Sequence, residues 1–116
     1  MKSHLPLTDS DLVTLLAIHR LGDEAYGVPL CDEVTSITGR NAALASVYKA
    51  LDRLEKSALV ASRLGQPSAE RGGRAKRFVH VTDKGLRAID EARATLNRLW
   101  RDIPAFGKDA TTRKAQ

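Results

Sequence analysis

The chain has 116 residues, enough for one domain with a core and too few to expect two. Apolar residues make up 42% of it but aromatics only 4%, so the interior must come from Leu, Val, Ile and Ala, the mix of a mainly helical fold. The formal net charge is +5, no apolar run nears the roughly 20 residues of a membrane span, and the single cysteine, Cys31, excludes an internal disulfide and a multi-cysteine metal site. The N-terminal "MKSHLPLTDSD" lacks the apolar region of a signal peptide, and a cytoplasmic protein is expected.

In chain order, "TDSDLVTLLAIHRLG" predicts a first helix, with Thr8 and Asp11 as a capping pair and Gly22 as its stop. Leu12, Leu15, Leu16 and His19 share one face of it. "VPLCDEVTSITG" predicts a second helix with Val28, Cys31, Val34 and Ile37 as its stripe, Pro29 in the first turn and Gly39 as the stop. "AALASVYKALDRLEKS" predicts a third, with Leu44, Val47, Leu51 and Leu54 inward and Lys49, Asp52, Arg53 and Lys56 elsewhere. Three short helices, none able to bury its stripe alone, imply a trihelical core.

The period then changes. "ALVASRLG" and "KRFVHVT" read as two strands, joined by "QPSAERGGRA", which carries Pro and Gly where a turn needs them. Val79 and Val81 should face the core with Arg77 on the same parity, and Phe78 and His80 should face away. "TDKGLRAIDEARATLNRLWRDI" predicts a last helix of about 20 residues that Pro104 ends. The expected organisation is residues 1–82 as the main unit, 83–103 as a C-terminal helix and 104–116 as a flexible tail.

Charge is localised. Between Arg63 and Arg87 there are seven basic and two acidic residues, while the rest of the chain balances, so the excess forms a patch suited to a polyanion. The segment "ERGGRAKR" concentrates it, and it lacks the Gly-Lys-Ser/Thr ending of a phosphate-binding loop. An enzyme needs convergent nucleophiles, acids or ligands, and none assemble. Asp9, Asp11, Asp23 and Glu24 fall at helix starts and turns, and His4, His19 and His80 show no ligand spacing with Cys31. No cofactor or metal is expected.

A third helix followed by a basic hairpin is the constellation of a double-stranded DNA reader. The small Ala42, Ala43 and Ala45 permit close backbone approach to a groove. Ser46 and Tyr48 offer hydroxyls, and Lys49, Arg53, Arg71, Arg74, Lys76 and Arg77 offer charge. In the last helix, Ile89, Ala92, Leu96, Leu99 and Ile103 are spaced 3, 4, 3, 4, the seam of a helix pairing with another, with Trp100 beside it as an anchor. The stripe is open to packing on the first helix of its own chain, but at about 30 Å this helix is longer than the trihelical core can cover, which favours a homodimer.

"AYGVPLCDEVTSITGR", "SVYKALDRLEKSALV" and "RAKRFVHVTDKGLRAI" resemble, in order and spacing over about residues 10 to 90, the PadR family of bacterial winged-helix transcriptional regulators. Tyr26-Gly27, the run from Tyr48 through Leu51 and Leu54 to Glu55, and Thr82 with Lys84-Gly85 sit where the family pattern puts them. The single C-terminal helix resembles the family's smaller branch. The resemblance implies a winged helix-turn-helix with residues 44–57 as recognition helix and 65–75 as wing, and a long C-terminal dimerisation helix. It further implies repression of a nearby promoter, relieved in some members by a planar aromatic effector, for which Trp100 is the candidate contact. Two departures stand out: the family's usual glycine before its second strand is Ala58, and its usual small-residue turn before Tyr48 is "AALASV". The expected function is a homodimeric regulator of an inverted-repeat operator; the alternative is a winged-helix module that binds protein instead of DNA.

Overall fold

The computed structural model describes residues 7–65 and 75–105. Helix α1 spans Asp9–Leu21, and a short 3-10 turn, Gly22–Glu24, leads to α2 at Gly27–Thr38 and α3 at Leu44–Lys56. Strands β1, Val60–Leu64, and β2, Arg77–Val81, precede α4 at Asp83–Trp100.

Local chemistry sets most of these boundaries. The Thr8 hydroxyl accepts from the Asp11 backbone N–H at 3.0 Å, and the Thr82 hydroxyl accepts from Gly85 at 3.1 Å, so α1 and α4 both begin on a threonine cap. Gly22 and Gly39 close α1 and α2 with φ of 60° and 74°, a region open to glycine because it lacks a Cβ. Helix α4 closes at Trp100, three residues short of the expected Ile103, because Pro104 disfavours helical backbone in the residue before it and offers no N–H.

The core is built from Leu15, Ile18, Leu30, Leu51, Leu54 and Val60, all fully buried, joined by Val47, Val79 and Ile89. Several inward faces differ from the expected stripes. In α1, Ile18 is buried and His19 is exposed. In α2, Leu30 is buried while Val28 and Ile37 are exposed, and in α3 Ala50 takes the inward place expected of Leu44. The reason is common to all three: where apolar residues occupy more than one face, spacing alone admits two rotations, and packing against the other helices selects one.

The strands pair antiparallel, with Val60 opposite Val81 and Leu64 opposite Arg77. Val79 is buried and His80 exposed, as the alternation requires. On its other edge β2 donates a bond from Val79 N–H to the Ala25 carbonyl at 2.9 Å, which ties the hairpin to the segment between α1 and α2. Three helices closed by a hairpin of this kind make a winged helix. The tip joining β1 to β2, with Arg71 and Arg74, lies outside the described residues, as does the tail from residue 106.

One joint organises the second half of the chain. Helix α3 ends in a Schellman motif: Ala58 N–H donates to the Glu55 carbonyl and Leu59 N–H to the Leu54 carbonyl, both at 2.9 Å. Ala58 itself stands at φ 63°, where the motif favours glycine. The start of α4 then satisfies the carbonyls left over. Lys84 Nζ donates to Ser57 O at 2.8 Å, Thr82 Oγ1 to Ala58 O at 2.7 Å and Thr82 N–H to Leu59 O at 3.0 Å. Gly85 makes this possible, since a Cβ there would collide with the Leu59 carbonyl oxygen and lie 2.6 Å from Val81 Cγ1.

Beyond this joint α4 buries Ile89 in the core of its own chain, although its spacing had suggested an intermolecular seam. The stripe then leaves the domain: Leu96, Leu99, Trp100 and Ile103 are exposed, and Ala92 is half-buried between. No helix among the described residues is long and apolar enough to cross a membrane.

Candidate nucleic-acid interface

With Val47, Ala50, Leu51 and Leu54 inward, the 100° step of a helix puts Ala45, Lys49, Asp52 and Lys56 on the opposite side of α3, with Ser46 and Arg53 on one flank and Tyr48 and Glu55 on the other. All of these outward residues are exposed. Neither α2 nor α3 has a side-chain N-cap: Tyr26 and Ala43 hold those positions without a capping bond. Their first-turn N–H groups carry the positive end of each helix dipole.

The candidate cations divide into two groups. Arg53 donates from Nη2 to Asp11 Oδ1 at 2.5 Å, fastening α3 to α1. Arg77 lies on the inner parity of β2 and reaches α3, with Nη1 3.1 Å from Asp52 Oδ1 and Nη2 2.5 Å from Glu55 Oε1. Ser62 of β1 donates to the other Glu55 oxygen at 2.9 Å. The Arg77 bond, and after it the Ser62 bond, holds the Glu55 carboxyl below its ordinary pKa. Burial works to lower the Arg77 pKa, but its bonds to Glu55 and Asp52 outweigh that and raise it.

Lys76, one residue earlier, is on the outer face and meets no carboxylate among the described residues. Its Nζ donates to Tyr26 Oη at 3.2 Å and sits 4.4 Å from the centre of the Tyr26 ring. Tyr26 meets Phe78 edge-on with ring centres 5.1 Å apart, and the Arg63 guanidinium lies 4.7 Å from the Phe78 ring centre. Two cations are thus held over aromatic rings, which orient them while leaving their charge uncompensated. Arg63 was absent from the candidate residues read from sequence. The signal that finds it is the strand register, which sets Arg63 opposite Phe78. Lys49 likewise has no ion-pair partner among the described residues.

Tyr48 has a packing role. A Cβ at Gly27 would lie 2.5 Å from the Tyr48 hydroxyl oxygen and 3.3 Å from Leu44 Cδ1, so the Tyr26-Gly27 pair is where α3 crosses the start of α2. Ser46 lines a cleft of about 480 Å³ between α1, α2 and α3, together with Ser10, Val34 and Arg40. Trp100, the candidate effector contact, is exposed at the far end of α4 and is not part of that cleft. Among the described residues no three His, Cys, Asp or Glu side chains converge as a metal site would need.

Comparison with known proteins agrees with this geometry. The model of the transcriptional regulator PadR-like family matches residues 15–91. A PadR-like transcriptional regulator from Bacillus cereus strain ATCC 14579 is similar at 25% identity, over 79% of this chain and 91% of that one, with a TM-score of 0.59. A PadR-like transcription factor from Bacteroides fragilis is similar in fold at 20% identity, over 78% and 82% of the two chains, with a TM-score of 0.66. A mutant MepR from S. aureus, solved bound to an oligodeoxyribonucleotide, shares the fold at 12% identity and a TM-score of 0.59, over 94% of this chain and 73% of that one. No curated protein matches. With the family match running from the middle of α1 to the middle of α4, the chain belongs to the PadR-like family of transcriptional regulators, DNA-binding proteins and not enzymes.

Proposed function

We propose that this regulator is a homodimeric repressor that reads an inverted-repeat operator, with α3 of each protomer in a major groove and the hairpin cations on flanking phosphates. The observation that carries the reading is the pairing of an exposed α3 face bearing Lys49 with Arg63 and Lys76, whose charges no carboxylate offsets among the described residues. Arg71 and Arg74 of the tip extend the same patch in sequence. The open N-termini of α2 and α3 add donors suited to phosphate oxygen. Dimerisation through the end of α4 is supported by the exposed Leu96, Leu99, Trp100 and Ile103, and a small aromatic effector would stack on Trp100 at that interface. The protomers act in the cytoplasm.

Selection of bound duplexes from a random pool tests this reading. Enrichment of an inverted repeat is expected. On the enriched duplex, Lys76→Ala should lower the salt slope of log affinity by roughly one, the signature of one lost phosphate contact. A pool that enriches no sequence would instead favour the protein-binding module.

A further inference from the structure

Arg77 belongs to the basic run that the charge pattern assigns to DNA, yet its surroundings give it different work. We propose that Arg77 is a positioning residue that sets the hairpin against the recognition helix, and that Asp52 and Glu55 withhold its charge from DNA phosphate. The proposal rests on the operator-binding reading above and adds a determinant of its specificity.

The geometry follows from strand alternation. Val79 and Val81 point toward the core, so Arg77 on the same parity must point toward α3, where Asp52 and Glu55 stand one turn apart. Its fork spans both carboxylates at 3.1 and 2.5 Å, and its side chain is only 27% exposed. Ser62 completes the tie from β1, so both strands hold the same recognition-helix residue, Glu55. A planar guanidinium bridges two carboxylates as a single ammonium cannot.

Two consequences follow. Without Arg77, the hairpin loses its angle to α3. Without the carboxylates, Arg77 is released to seek phosphate. The strap therefore favours a fixed, sequence-reading pose over indiscriminate backbone attraction, whereas Lys76 on the opposite face adds affinity to every sequence alike.

The test measures affinity of the full chain for its selected operator and for a scrambled duplex across a salt series. Arg77→Gln should weaken operator binding about tenfold, as loss of a charged hydrogen bond does, with little change on scrambled DNA and an unchanged salt slope. Arg77→Lys should behave in the same way despite keeping its charge. Asp52→Asn with Glu55→Gln should raise the salt slope by about one and tighten binding to scrambled DNA, and adding Arg77→Gln should cancel that gain. A slope that falls by about one in Arg77→Gln would make Arg77 a phosphate contact and overturn the proposal. Equal losses on both duplexes, or none in the selectivity ratio, would reduce the strap to a stability element and also overturn it. A wild-type chain that does not distinguish the two duplexes would remove the operator-binding reading itself.

Discussion

In α4, Gly85 and Ile89 are buried against the domain, whereas Leu96, Leu99 and Trp100 are exposed, although one spacing of threes and fours runs from Ile89 through Leu99. The first half is locked by backbone and side chain together: the Thr82 cap, the Lys84 bond to Ser57 and the close approach of Gly85 to Leu59. Among the described residues, those after Ala92 make none of these ties. At 18 residues the helix runs about 27 Å, and every residue of it past Ala92 is exposed. A continuous apolar stripe can therefore serve two surfaces, the near part completing the chain's own core and the far part standing exposed, where the proposed dimer would form.

Substitutions can break that division, beginning with the largest effect. Ile89→Ala should cost about 3 kcal/mol of unfolding free energy in denaturant titration, the range for emptying a buried aliphatic site. A loss below about 1 kcal/mol would move Ile89 to the exposed half. Leu96→Asp should act on assembly instead, halving the mass seen by light scattering at micromolar concentration and lowering operator affinity, because a charge on an apolar interface is poorly tolerated. A variant that keeps the wild-type mass would mean the far half pairs with nothing. The smallest effect sharpens the near joint: Ala58→Gly should add about 0.5–1 kcal/mol of stability, since φ 63° costs alanine and not glycine, and the mass should stay as in wild type.

What the sequence discloses follows the range of each interaction. Thr8 and Thr82 are legible as helix starts because the backbone donors they cap lie three residues ahead, and the faces of β2 are legible because alternation is unambiguous. Helix faces are less so. Leu30 and Ile18 prevail over Val28 and His19 only when three helices meet. Least legible are the partners of the candidate cations. Arg53 with Asp11, Arg77 with Glu55 and Lys76 with Tyr26 are separated by 42, 22 and 50 residues, and no local pattern announces them. Three residues that look alike in a basic count thus divide into two structural ties and one available charge. The Ala58 departure has a plain reading as well: the αL position at the end of α3 persists without its usual glycine, held by the bonds to Glu55, Leu54 and Thr82 that surround it.

In the proposed complex, two copies of α3 read one duplex symmetrically. Hydroxyl-radical footprinting of the wild-type chain on its selected duplex tests it most directly. Two protected patches of matching pattern, related by a two-fold axis and centred about one helical turn or a multiple apart, are the predicted result. A single protected patch, or uniform reactivity along a fully bound duplex, would contradict it.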